Sequence, residues 1–172
     1  MKTMLLYLKP YYKKISFGFI IKALGTLSEL MLPMILSYVL KSVIGKSVTD
    51  ILLWGGIMIL FAALACIFNV WANRIAARTS SSFAETMRKD LFQKILRLSA
   101  AQTDKFTIPS LESRITTDTY NVHRFVGMIQ RMGIRAPIML IGGIGITLIM
   151  DKKLALVMIA TLPLIFIVVY GI

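Results

Sequence analysis

The sequence predicts an all-α membrane protein in which long transmembrane helices run on into the cytosol as a helical hairpin with a short helix at its tip. Three observations carry this. The chain is 57% hydrophobic with a mean hydropathy of +0.76, too apolar for an ordinary soluble domain. Its one long polar stretch, 73–135, holds eleven of the 20 Lys and Arg residues and lies between the apolar runs 51–72 and 136–150. No Gly or Pro occurs from Ile57 to Phe106, so nothing breaks a helix that begins in lipid and continues into water. A helix from Asp50 to Leu98 would measure roughly 70 Å against about 30 Å of hydrocarbon, so more than half of it must stand outside the membrane.

Taken in order, residues 1–14 set Leu5, Leu6 and Leu8 against Lys2, Lys9 and Lys13, which suits an interfacial elbow helix lying along the inner face before the chain turns in at Pro10. The start resembles a signal peptide, but the span that follows is too long and has no small-residue cleavage site, so an uncleaved first helix is expected. The first span covers about 15–40. Lys22 is close enough to its inner boundary to snorkel, Glu29 lies deeper, and Tyr38 marks the outer interface. A short polar loop, 41–50, leads to the second span, 51–72, bracketed by Trp54 and Trp71. Their seventeen-residue separation is about 26 Å on a helix, close to the spacing of the two interfacial aromatic belts.

The cytosolic hairpin is expected over 73–131. Phe83, Met87, Leu91, Ile95 and Leu98 form a stripe on its outgoing leg; Leu111, Ile115, Val122, Phe125 and Ile129 form the matching stripe on its return. The legs are joined by a polar segment, 99–110, and would carry the tip about 40 Å into the cytosol. Pro109 suits the first turn of a short helix there, because the N–H it lacks is one that a helix start leaves unpaired. The third span, 132–150, has only fifteen uninterrupted apolar residues, so Arg131 and Arg135 are expected to snorkel or face a hydrated interior. Gly142, Gly143 and Gly145 read as a close helix-packing face. Asp151, Lys152 and Lys153 make a tight outer turn, and 154–172 is a fourth span. Four basic residues before the first span and eleven in the polar stretch, against two in each outer loop, put the N-terminus inside.

The net charge of +12 raises the question of nucleic acid, but the basic residues flank apolar spans, so positive-inside bias accounts for them and no nucleic-acid partner is expected. Cys66, the single cysteine, lies within an apolar run and implies no disulfide. Gly45-Lys46-Ser47 ends like a phosphate-binding loop, yet the Gly required five positions earlier is Leu40 and no strand precedes it. His123 has no second His or Cys at ligand spacing and reads as a solvated or packed helical residue. Neither a catalytic grouping nor a cofactor or metal site is legible. Glu29 is the one acid inside a span, where a carboxylate is costly. It either pairs with Lys22, seven residues earlier on the same face, or belongs to a substrate path, with Met31 and Met34 as an adaptable lining.

The run Arg88-Lys-Asp-Leu-Phe-Gln-Lys-Ile-Leu-Arg-Leu-Ser99, then Asp104-Lys-Phe, then Pro109-Ser-Leu-Glu-Ser-Arg-Ile-Thr-Thr-Asp118 with Val122, resembles the first intracellular loop of ATP-binding cassette exporters. Glu29-Leu-Met-Leu-Pro33 and Arg135-Ala-Pro-Ile extend the likeness to essentially the whole chain, and it looks most like bacterial multidrug half-transporters. Many members have Gly where this chain has Ile108 or Pro109. The resemblance implies that the tip, Thr107, Ile108, Pro109, Ser110, Leu111, Glu112 and Ser113, is a coupling helix that docks on a nucleotide-binding domain. It implies a second half-transporter as partner, homo- or heterodimeric, and ATP with Mg held in a domain that this chain does not contain. The chain is then expected to be the N-terminal portion of an exporter's transmembrane domain, multi-pass in the cell membrane, with drugs, lipids or peptides as cargo and no enzyme activity of its own. A membrane-anchored scaffold or signalling protein whose hairpin binds a partner is the alternative. A secondary transporter is disfavoured, because it rarely needs a long cytosolic lever.

Overall fold

The structure, a computed structural model, describes residues 7–42 and 48–171. It is an all-α membrane protein, without strands among the described residues. Helix α1 is Tyr12–Ser42, α2 Val48–Leu96, α3 Ala100–Phe106, α4 Ile108–Ser113, α5 Thr119–Met132, α6 Arg135–Met150 and α7 Lys152–Gly171. Residues Lys9–Tyr11 form a 3-10 turn ahead of α1, and Arg114–Asp118 form a π-helical turn between α4 and α5. Three stretches, Lys9–Leu40, Val48–Leu96 and Ile108–Met150, are long and apolar enough to cross a membrane. The expected fourth span forms the shorter helix α7. Met1 to Leu6 of the elbow, the Gly45-Lys46-Ser47 triplet and Ile172 lie outside the described residues.

The chain divides into two compact units. The first takes 7–22 and 70–134 of the described residues; the second takes 23–42, 48–69 and 135–171.

In the first unit the elbow differs from expectation. Pro10 sits in the first turn of the 3-10 helix, and Leu8 and Tyr12 on either side have helical torsions, so the chain tightens at Pro10 and does not turn there. The Tyr11 hydroxyl donates to the Ser82 carbonyl (3.2 Å) and lies 3.1 Å from the Thr86 hydroxyl, fastening the elbow to α2. Tyr7 hydrogen-bonds Asp90; that bond, then desolvation, then the nearby negative charge raise its pKa above the usual 10.0.

The outgoing stripe forms as expected. Phe83 is buried, and Met87, Leu91, Ile95 and Leu98 are half-buried behind it. The return stripe needs correction. Leu111 and Ile115 turn inward, but Phe125 and Ile129 are 49% and 43% exposed, and the buried positions of α5 are Thr119, Val126, Gly127 and Gln130. The π turn explains the shift: it holds more residues per turn than an α-helix, so beyond it the inward face falls one residue later than α-periodicity predicts. Thr116 donates back to the Glu112 carbonyl of α4 (2.8 Å), and Thr119 to the Ile115 and Thr116 carbonyls inside this turn. The slip also puts Gly127 against Ser80, 3.3 Å from where a Cβ would stand, so α2 and α5 approach closely there.

In the second unit, α1 and α2 meet where Gly25 lies against Phe68 and Asn69, and Tyr38 tilts onto Trp54 with ring centroids 4.7 Å apart. That aromatic pair joins the two residues expected at the outer interface. Of the three glycines on α6, Gly142 makes the expected close contact, with the Leu30 side chain, whereas among the described residues Gly143 and Gly145 have no neighbour within 4 Å of where a Cβ would stand. Asp151 is the whole connection between α6 and α7. Its carboxylate accepts from the Lys153 N–H (2.8 Å), so Lys152 and Lys153 form the first turn of α7.

Candidate functional site

Two groups of residues stand out, one in each unit. The first is the tip between the two legs. Ser99 ends the outgoing leg and starts α3 with a capping box: the Gln102 N–H donates to the Ser99 hydroxyl (3.4 Å), and the Ser99 N–H donates to the Gln102 side-chain oxygen (3.1 Å). Helix α3 stops at Phe106, and α4 begins after a single residue, Thr107. Thr107 has φ 60 and ψ 140, a positive φ that a β-branched residue rarely adopts. Its N–H still bonds to the Thr103 carbonyl (2.9 Å), and its own carbonyl accepts from Leu111 (3.2 Å), so the strained residue satisfies both helices it separates.

Of the seven residues expected at the tip, Leu111 alone is buried, and Ser110 is half-buried. Thr107, Ile108, Pro109, Glu112 and Ser113 are exposed, so Leu111 anchors α4 while an apolar edge and one carboxylate face outward. Arg114 lies over the Phe106 ring, 5.9 Å from its centroid, bracing α3 against the start of the π turn. The arrangement is a stiff, capped knob able to dock on a protein surface. The Ser99 to Gln102 capping box was readable as S-x-x-Q, and the sequence reading passed over it. The strain at Thr107 carries no such local signal.

The second group surrounds Glu29. One carboxylate oxygen accepts from the Asn69 amide (2.9 Å) and the other from the Arg135 guanidinium (3.1 Å). Asn69 also donates to its own helix at the Ala65 carbonyl (2.9 Å), which fixes the amide. Gly25 faces Asn69 across the helix pair, so Glu29, one turn further along α1, has its Cα about 6 Å beyond Asn69 and reaches back to it. Pro33 removes the helix bond that the Glu29 carbonyl would otherwise accept.

Glu29 therefore pairs with an arginine 106 residues away, and the bonds found for it differ from the Lys22 pairing expected. Lys22, in the first unit, is 2% exposed and donates to the Asn73 side-chain oxygen (3.1 Å). Met31 and Met34 are both exposed. They stand about 200° and 140° round the helix from Glu29, so they do not share its face. Arg131 and Arg135 were expected to snorkel or face a hydrated interior; Arg135 instead bonds the Glu29 carboxylate, and Arg131 bonds back to the Gly127 carbonyl (3.0 Å) on its own helix. Asn69 and Asn73 are the residues that sequence reasoning missed, and for Arg135 it missed the partner. Their signal was polarity at the edge of an apolar run, which by itself does not name a partner.

A cleft of about 630 Å³ in the first unit runs between α2 and the return leg, lined by Glu85, Arg88, Phe92, Ile115, Tyr120 and His123. His123 is packed there beside Tyr120, ring centroids 6.5 Å apart, with its Nδ1 buried and unbonded.

Residues 15–172 match the family described as the ABC transporter transmembrane region. The chain is 30% identical over 165 residues to the uncharacterized ABC transporter ATP-binding protein YfiB of Bacillus subtilis, a match covering 95% of this chain and 29% of that protein. It is 25% identical over 169 residues to the multidrug resistance-like ATP-binding protein MdlB of Buchnera aphidicola, covering 96% of this chain and 29% of that protein. The chain thus spans less than a third of the length of these curated relatives.

Proposed function

The chain belongs to the ABC transporter transmembrane-region family, and on that premise we propose that it forms part of the substrate path of an ATP-driven exporter and relays motion through its tip. Helix α4, Ile108–Ser113, acts as the first coupling helix and docks on a nucleotide-binding domain, which holds ATP and Mg. A second half-transporter completes the cavity within the lipid bilayer. The chain sits in the cell membrane with its N-terminus in the cytoplasm, as the distribution of Lys and Arg supports. Multidrug cargo is the reading in line with the name of the Buchnera relative.

The observation that carries the coupling role is the unbroken helix Val48–Leu96, joined through the capped helix α3 to the exposed, Leu111-anchored α4. A stiff helix passes a displacement from one end to the other, where a loop would absorb it. Inserting Gly-Gly after Leu91 tests this in the complete transporter. Two extra residues turn everything beyond by about 200° and take Ile95 and Leu98 out of line with Phe83 and Met87. The expected outcome is normal membrane insertion and continued ATP hydrolysis with transport lost. Transport at the parent rate would end the lever reading.

Lys22, Glu29, Met31 and Met34 are proposed for the substrate path, in three roles. Lys22, buried and bonded to Asn73, supports the path by holding α1 to α2. Glu29 supplies negative charge near the inner end of the spans, and the exposed Met31 and Met34 present a soft apolar face to cargo or to the second half-transporter.

A further inference from the structure

We propose that the first unit carries a binding site for an anionic phospholipid, in a cleft between the elbow and α2. The cleft measures about 310 Å³ and is lined by Tyr11, Lys14, Phe17, Trp71, Ile75 and Arg78. Two contacts hold the helices beside it: the Tyr11 to Ser82 hydrogen bond, and the close approach of Gly18 to the Ile75 side chain, which lies 3.2 Å from where a Gly18 Cβ would stand. The two helices are thereby held apart at a set distance, with an open slot between them.

The slot is two-sided in chemistry. Phe17 and Trp71 are each 54% exposed, which in water would be a costly apolar surface and at a membrane is a place for acyl chains. Lys14 and Arg78 supply the polar side. Neither pairs with an acid among the described residues, and no acid lines the cleft. Of the other polar groups in the walls, the Tyr11 hydroxyl donates to the Ser82 carbonyl and the Thr79 hydroxyl to the Ile75 carbonyl (2.8 Å), which leaves the Ser82 hydroxyl beside the two cations. The charged donors left for a ligand are an ammonium and a guanidinium, and the latter's planar fork matches a phosphate.

Position selects a lipid over a soluble anion. Lys14 immediately precedes the apolar run of α1, and Trp71 closes the apolar run of α2. Arg78 lies about 10 Å beyond Trp71 along the helix and is long enough to reach back to headgroup level. Aromatic residues and cations at one membrane depth, on adjacent helices with an apolar slot below, fit a phosphatidylglycerol-type lipid with its phosphate on the cations. Which leaflet this is rests on the cytoplasmic placement of the N-terminus proposed above; the site itself does not.

The test uses the full-length protein in nanodiscs of phosphatidylcholine doped with brominated phosphatidylglycerol or, in parallel, brominated phosphatidylcholine. Quenching of Trp71 is taken as the difference between the parent and Trp71→Phe. Half-maximal quenching is expected at a roughly tenfold lower fraction of the anionic lipid, the scale that one or two interfacial cations supply. Lys14→Gln with Arg78→Gln removes that preference. Lys13→Gln with Arg74→Gln, which takes the same charge from exposed neighbours outside the cleft, leaves it in place. Lys14→Arg with Arg78→Lys keeps it, which separates loss of charge from loss of fold. Equal quenching by the two lipids, or equal loss in the two neutralised pairs, overturns the site. Displacement of the brominated lipid by millimolar glycerol phosphate overturns its assignment to lipid. Quenching is read without ATP, so a failure of the coupling role leaves this result standing, and the reverse holds too.

Discussion

Neutralising the Glu29 to Arg135 pair one side at a time, then together, measures what the pair contributes and separates structure from transport. The perturbations are Glu29→Gln, Arg135→Gln and the double variant. At 3.1 Å between Nη2 and Oε2, two unit charges attract by roughly 5 kcal/mol in a medium of effective dielectric about 20. The side chains are 24% and 43% exposed, and desolvation and the ordering of two long side chains offset most of that attraction, leaving about 1 to 2 kcal/mol. Each single variant should therefore lose about 1 to 2 kcal/mol, and the double variant hardly more than the larger single, giving a coupling of about 1 kcal/mol or more. The assay is thermal unfolding of the full-length protein in nanodiscs, read as a double-mutant cycle. Strictly additive losses, with a coupling below about 0.3 kcal/mol, would refute the pair. The exchanged pair, Glu29→Arg with Arg135→Glu, then assigns its role. If stability and export of cationic cargo both return, Glu29 is structural. If stability returns while cationic cargo is handled worse than neutral cargo, the carboxylate belongs to the substrate path.

Thr107→Gly should stabilise the tip by about 1 to 2 kcal/mol, because glycine adopts a positive φ without the steric cost that threonine bears; slower hydrogen exchange over 100–113 is the expected readout, and faster exchange contradicts it. Gly25→Ala and Gly142→Ala should differ although both gain about 1 kcal/mol of helix propensity. At Gly142 the obstacle is the free end of Leu30, which can change rotamer at about 0.5 to 1.5 kcal/mol, so the net effect is near zero. At Gly25 it is the Phe68 Cβ (3.2 Å) and an Asn69 amide (3.1 Å) fixed by two hydrogen bonds, so unfolding should come earlier by about 1 to 2 kcal/mol; the opposite ranking in a melting experiment would show the packing to be misread. The raised pKa of Tyr7 means that its bond to Asp90 contributes in full below pH 10.0 and is lost as pH climbs through the folded-state value. Ultraviolet titration of the parent against Tyr7→Phe should show Tyr7 ionising above 10.0, and Asp90→Asn should bring it back toward that value.

Much of the architecture could be read from local pattern. Apolar runs, a breaker-free stretch and the Lys and Arg bias are properties of short windows, and they placed α2 within two residues of its observed ends and the third span, 132–150, within three residues of α6, Arg135–Met150. The outgoing stripe was legible for the same reason, since one unbroken α-helix keeps its period. The return stripe was not. A single π turn at Arg114–Asp118 moved the inward face from Phe125 and Ile129 to Val126 and Gln130, and nothing in the composition of five residues announces such a turn.

Partner choice was the other matter left to tertiary structure. Sequence spacing could say that Lys22 and Glu29 share a helical face, but an i to i+7 relation leaves the two about 10 Å apart along the axis, beyond hydrogen-bond reach. Only the packing of α1 against α2 and α6 brings Asn69 and Arg135 to the carboxylate. The same holds for the glycines of α6: periodicity names three candidates, and among the described residues the neighbouring helix meets Gly142 alone. The sequence by itself determined an all-α membrane protein with its helices, its polar hairpin stretch and its family, because hydropathy and helix breaking act residue by residue along the chain. The register between helices, and with it which polar groups meet, depended on contacts between residues far apart in sequence, so the tertiary structure decided it.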